Sequence, residues 1–247
     1  MLRIKDTVYY LAFLASLAVP VNGQLPALDA ERAKNLGIAY LEQEQPKDAA
    51  RMFREVIALL PEEPLGYTNL AASYLRMGRV DSALVQLNQA ILTDPGNAQV
   101  LYMASEAHAA AGRWDQAIAT LNRAILSKPD DAVLRYARFR TIQSTSNDAL
   151  QSVAAADINA LAKLVPDNAA IRVKHVRFLA EAGDFEAVRK SYPILAQLLE
   201  DAGVQDQVRA LIQNSLEDEN GQLAVRAFTV LENVLRPSER YKQALET

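Results

Sequence analysis

The chain has 247 residues, half of them hydrophobic, with 26 Lys and Arg against 30 Asp and Glu and a net charge of −4. No basic stripe runs along it to neutralise phosphates, so a nucleic-acid partner is not expected. Cysteine is absent, which excludes disulfides and thiol chemistry, and a chain of this length buries enough apolar surface to do without them.

At the amino terminus Arg3 and Lys5 precede an apolar run, Val8 to Val19, with Pro20 and the small-ended Val21-Asn22-Gly23 behind it. A charged head, a short apolar middle and a small-residue exit read as a secretory signal peptide over residues 1–23, cut after Gly23. The run falls short of the about 20 apolar residues that span a bilayer comfortably; an uncleaved membrane anchor is the alternative reading. Its removal takes away Arg3, Lys5 and Asp6 and leaves an exported chain, periplasmic or secreted, one charge more acidic and with no membrane span.

From Ala30 the pattern becomes helical. The segment AERAKNLGIAYLEQEQPKDAARMFREVIALLPEE, residues 30–63, is followed by PLGYTNLAASYLRMGRVDSALVQLNQAILTDPGN, 64–97, and AQVLYMASEAHAAAGRWDQAIATLNRAILSKPDD, 98–131. Each holds two apolar stripes at helical spacing, such as Tyr67, Leu70, Ala71 and Tyr74, then Ala83, Leu87, Ala90 and Ile91. Gly78 separates the two helices. Asp29, Asp81 and Asp115 are expected to cap helix starts, as are Asn97 and Asp131, because their side chains accept from unpaired amides. Pro95 and Pro129 close the second helices, since the residue ahead of a proline is pushed out of helical geometry. Ala83, Ala90, Ala117 and Ala124 let paired helices approach closely, with Leu87 and Leu121 filling the space between. Trp114, at the turn into a second helix, is expected in the core.

A fixed 34-residue period of helix pairs, with Leu36, Gly37, Tyr40, Ala49, Phe53 and Pro61 at signature places, resembles the tetratricopeptide-repeat family from about Ala30 to Pro237. The resemblance implies an all-α fold, a right-handed superhelical solenoid of antiparallel helix pairs, over a single domain from residue 24 to 247. After the three regular repeats come degenerate ones at 132–168, 169–203 and 204–237, and a polar capping helix at 238–247. The fourth needs a longer turn around the polar Ser144 to Asp148. It also places Arg138 and Phe139 where Leu and Gly would sit, so either the helix is rotated or Arg138 lies at a partly open seam, an unpaired buried guanidinium being costly. In the fifth, Gly183 marks the turn, and Pro193 predicts a kink or early stop in the second helix.

Catalytic chemistry is not expected. His108 and His175 fall at offsets held by Tyr74 and Leu70, which makes them packing residues. There is no metal-spaced cluster, no phosphate loop and no sign of a cofactor. The family resemblance implies instead a non-enzymatic scaffold that binds a protein or peptide in its concave groove, lined by the first helix of each pair. Outward positions in that column include Lys34, Ile38 and Leu41; Thr68, Asn69, Ala72 and Leu75; Tyr102, Met103 and Glu106; Tyr136 and Arg140; and Val173, Lys174 and Arg177. The carboxylate clamp of chaperone-type members is not reproduced: Lys34 and Asn69 match, while Ile38, Gln99 and Met103 do not. The candidate peptide-binding residues are Tyr102, Glu106, Tyr136, Arg140, Lys174 and Arg177, aromatic and basic groups suited to an acidic segment. Two alternatives remain, a structural subunit of an envelope machine for polysaccharide export or outer-membrane assembly, and the repeat arm of a larger secreted propeller-type protein. The second rests on RAFTVLENVLRPSERYKQALET, which resembles the segment leaving the repeat arm in such FG-GAP proteins.

Overall fold

A computed structural model describes residues 25–145 and 147–184, with isolated positions from 186 to 228. The signal segment and the C-terminal capping helix lie outside the described residues, as do most of the second helix of the fifth repeat and all of the sixth repeat but position 228. Every described element is helical: α1 (Leu25–Glu42), α2 (Pro46–Leu59), α3 (Pro64–Arg76), α4 (Val80–Thr93), α5 (Ala98–Ala110), α6 (Trp114–Ser127), α7 (Ala132–Gln143), a 3₁₀ turn (Asp148–Leu150), α8 (Gln151–Leu164) and α9 (Ala169–Glu181). The chain divides into two compact units, Met1–Gly112 and Arg113–Thr247.

In the first unit, α1 packs on α2 and α3 on α4 through turns so short that each pair runs antiparallel. The core is Phe53, Val56, Leu70, Ala71, Tyr74, Ala83, Leu87 and Val100 with their neighbours. Gly37 explains its own place in the pattern, because a Cβ there would stand 2.6 Å from Phe53 Cε1. The missing methyl lets the phenyl ring sit against the α1 backbone. One repeat later the same offsets carry Ala71 and Leu87, a larger residue facing a smaller one, so the volume is conserved.

The turns obey the same arithmetic. Gly78, Gly112 and Gly183 have φ of 69°, 70° and 76°, the left-handed geometry that glycine adopts without a Cβ clash. Glu44 occupies that offset in the first repeat at φ 57°, where an L side chain is strained. Glu44→Gly should therefore raise stability by about 0.5–1 kcal/mol after the entropy cost of glycine is counted. A urea midpoint lower than the parent's would contradict this.

Four expectations are corrected by the helix boundaries. The first helix starts at Leu25, so Asp29 lies inside it and caps nothing; Pro26 is tolerated because it sits in the first turn. Asp81 and Asp115 also lie one residue inside their helices, behind Arg79 and Arg113 at the N-cap positions, and neither N-cap residue makes a side-chain capping bond. In the first turn these carboxylates complement the positive end of the helix dipole instead. Trp114 is 37% exposed rather than core, since it opens α6 and precedes the apolar stripe. Asn97 and Asp131 do cap: Asn97 Oδ1 accepts from Val100 N at 3.2 Å, and Asp131 Oδ1 accepts from Val133 and Leu134 N at 2.9 and 3.2 Å. The signature residue Leu36 is exposed.

In the second unit α7 packs on α6 and α8, and α8 on α9. Ile118, Phe139, Ile142, Ile158, Leu161 and Ile171 form the core, with Phe139 and Phe178 edge to face at 6.0 Å between centroids. Asn147 Oδ1 accepts from Ala149 N at 3.1 Å and starts the 3₁₀ turn that takes up the extra residues of this repeat.

Candidate functional site

The six candidate residues sit on three first helices. On α5, in the first unit, Val100, Leu101, Ala104 and Ala107 are buried, whereas Tyr102 and Glu106 are half-buried and, four residues apart, share a face. In the second unit α7 carries Tyr136 and Arg140 at the same spacing. Tyr136 is half-buried against the apolar core and Arg140 is exposed. α9, capped by Asn168 Oδ1 accepting from Ile171 N at 3.0 Å, carries Lys174 and Arg177. Arg177 Nε lies 3.4 Å from Glu181 Oε1 along its own helix, a pair of small energetic weight at this exposure.

Lys174 is only 8% exposed, and Val173 and Thr68 are buried too, so these three do not face outward as expected. α9 buries Ala170, Ile171, Arg172, Val173, Lys174, Val176 and Ala180, positions that run around most of its circumference. The helix is covered on more than one side, and a face chosen by one-sided periodicity misplaces such residues.

An ionic core in the second unit was only half visible in the sequence. Asp157, fully buried on α8, receives Arg138 through Nε to Oδ2 and Nη2 to Oδ1, both 2.7 Å, and Arg135 Nη1 at 3.3 Å. Arg138 Nη1 also donates to Asn122 Oδ1 at 2.6 Å, and Arg135 Nε to Pro129 O at 2.8 Å. Arg138 is thus paired rather than unpartnered. One repeat on, His175 at the same offset hydrogen-bonds Asn159 Oδ1 at 2.8 Å, and Asn159 occupies on α8 the place Asn122 holds on α6. Arg172 reaches Ala162 O and Pro166 O at 3.3 and 3.1 Å. Where the regular repeats put Leu70 and Ala104, the irregular ones put a polar group answered by the preceding second helix.

His175 titrates below the ordinary histidine range, because burial disfavours its charged form and the neighbouring Arg172 adds repulsion. Its Nδ1 is buried with no hydrogen-bond partner among the described residues, so a proton arriving there finds no acceptor. The unfolded chain takes up that proton more readily, so stability present above about pH 6.5 is lost as the pH falls below it. His175→Gln keeps a neutral hydrogen-bonding side chain and should flatten the loss between about pH 7 and about pH 5. Melts with the same pH dependence in parent and variant would exclude His175 as the cause.

Among the described residues no group of three or more His, Asp or Glu could hold a metal ion, and no helix is long and apolar enough to cross a membrane. Two family models of the tetratricopeptide repeat match the chain, one over residues 34–98 and one over 77–138. These residues are tetratricopeptide repeats. No curated protein matches the chain. Among solved structures, a MamA RS-1 double mutant is similar with a TM-score of 0.61 at 13% identity, covering 72% of this chain and 98% of its own. The pilF protein of Pseudomonas aeruginosa is similar with a TM-score of 0.59 at 17% identity, covering 88% and 97%, and MamA from Desulfovibrio magneticus RS-1 with 0.58 at 13%, covering 72% and 97%. At these identities the likeness concerns the fold. Tetratricopeptide repeats serve in general as non-enzymatic protein-interaction scaffolds, and residues 34–138 carry such repeats.

Proposed function

We propose that this chain is an exported scaffold, acting in the cell envelope or the secreted space, that holds an acidic peptide or protein segment on the first helices of its repeats. The observation that carries the reading is on α7, where Tyr136 is seated against the core and Arg140 stands exposed one turn further on. A ring held by packing offers contact area at little entropic cost, and a guanidinium can grip a carboxylate through two parallel hydrogen bonds. Arg177 on α9, which also pairs with Glu181, supplies a second cation in the same unit; Tyr102 and Glu106 on α5 belong to the other unit. Lys174 is too buried to be counted among the contacts. In a chain that is acidic as a whole, the exposed Arg140 is the charge that selects an acidic partner.

The test is affinity capture of the mature chain from envelope extracts, identification of the partner, and a repeat measurement with Arg140→Glu and Arg177→Glu combined. Binding at low salt should weaken by about tenfold or more, equivalent to ~1.4 kcal/mol. A partner held as tightly by the reversed protein as by the parent would show that the first helices of the second unit are not the binding surface.

A further inference from the structure

The first unit contains an open cavity of about 590 Å³ lined by Lys47, Ala50 and Arg54 of α2 and by Met77 and Arg79 from the turn between α3 and α4. Arg54 Nη2 donates to Tyr74 Oη at 3.4 Å, and the Arg79 guanidinium lies 4.8 Å over the Tyr74 ring. One tyrosine, 9% exposed, therefore steadies both arginines. Lys47 adds a third cation in the first turn of α2, where the helix dipole is itself positive. Among the described residues no carboxylate is ion-paired with any of the three; the acid beside them on α2, Asp48, is turned to Arg51 at 3.7 Å.

The stack does not require these cations. One repeat further along, Asp81 stands at the offset of Lys47 and Asn88 at that of Arg54, while Arg113 repeats Arg79. Three like charges around one cavity, in a chain of net charge −4, leave electrostatic free energy that an anion would recover. Arginine forks present paired donors to oxyanions, and lysine contributes a compact point charge. Three cations suit two negative charges better than the single charge of a carboxylate, and Ala50 and Met77 leave an apolar side for an organic substituent.

We propose that this cavity binds a phosphate-type dianion, either free phosphate or a phosphate monoester on an organic group. The site uses second-helix and turn residues and is independent of the peptide surface proposed above.

The experiment is a titration of the full ¹⁵N-labelled chain, with ionic strength held constant by chloride, using inorganic phosphate in one arm and phenyl phosphate in the other. Saturating shifts are expected at the Lys47, Gly78 and Arg79 amides, with half-saturation at about 1 mM or tighter. Tighter binding of phenyl phosphate assigns the site to a monoester, and equal binding to free phosphate. Lys47→Glu with Arg79→Glu should weaken either ligand by at least tenfold, and because both residues are exposed the fold should persist. If that pair unfolds the chain, Lys47→Gln with Arg54→Gln should give the same loss. Shifts that fail to saturate, that chloride reproduces, or that survive the substitutions in a folded chain overturn the proposal.

Discussion

Asp157→Ala should cost the second unit about 3–5 kcal/mol, the range expected when one partner of a buried ion pair is removed and the other is left uncompensated. Asp157 has no solvent exposure, and the side chains of Arg135 and Arg138 are 19% and 14% exposed. Losing the carboxylate leaves two largely buried guanidiniums with only Asn122 Oδ1 and the Pro129 carbonyl to accept their hydrogen bonds. The measurement is a denaturant melt following the second unit. A companion variant separates charge from shape: Arg138→Leu with Asp157→Leu restores the apolar character of Leu70 at that offset, and should recover much of the loss because apolar replacement of a whole buried pair is often neutral or better. An Asp157→Ala chain as stable as the parent would mean that the cluster carries no net weight.

Ala117→Leu should destabilise by about 1–3 kcal/mol, because extra methylenes in a closed contact force neighbours off their rotamers. Ala117 is 0% exposed, as are Leu121 and Ala124 further along α6, so the added isobutyl group has nowhere to go. Leu126, on the same helix at 81% exposure, is the matched control, and Leu126→Ala should change the melt little. An Ala117→Leu chain that melts with the parent would refute the close helix contact assigned to this position.

These two positions show where the sequence was legible and where it was not. Ala117 could be placed because Ala83 stands at the same offset one repeat earlier and both must be small; a period repeated twice is its own check. Gly37, Gly78, Gly112, Asn97 and Asp131 were legible for the same reason, each answering a local geometric need of a close approach, a turn or a cap. Asp157 was not legible. Its partners lie 19 and 22 residues away on another helix, and nothing local marks an aspartate within an apolar stripe as paired. The clue was indirect: Arg138 broke the pattern, and a buried cation requires an answer. Asn122 and Asn159 could have been found by noting that each precedes an odd residue, Arg138 or His175, by the same 16 positions. The starts of α4 and α6 escaped because a capping side chain and a first-turn carboxylate look alike in sequence and stand only two residues apart, and that of α1 because the helix begins four residues ahead of Asp29. The burial of Lys174 escaped because periodicity finds the most apolar face of a helix, and α9 is covered on others as well.

A scaffold that works through the first helix of each pair should meet its partner there. Hydrogen–deuterium exchange of the chain with and without its captured partner reads this out. Added protection is expected on α5, α7 and α9, strongest around Tyr136 to Arg140, with α4, α6 and α8 unchanged. Protection confined to α4, α6 and α8, with α5, α7 and α9 unaffected, would contradict it.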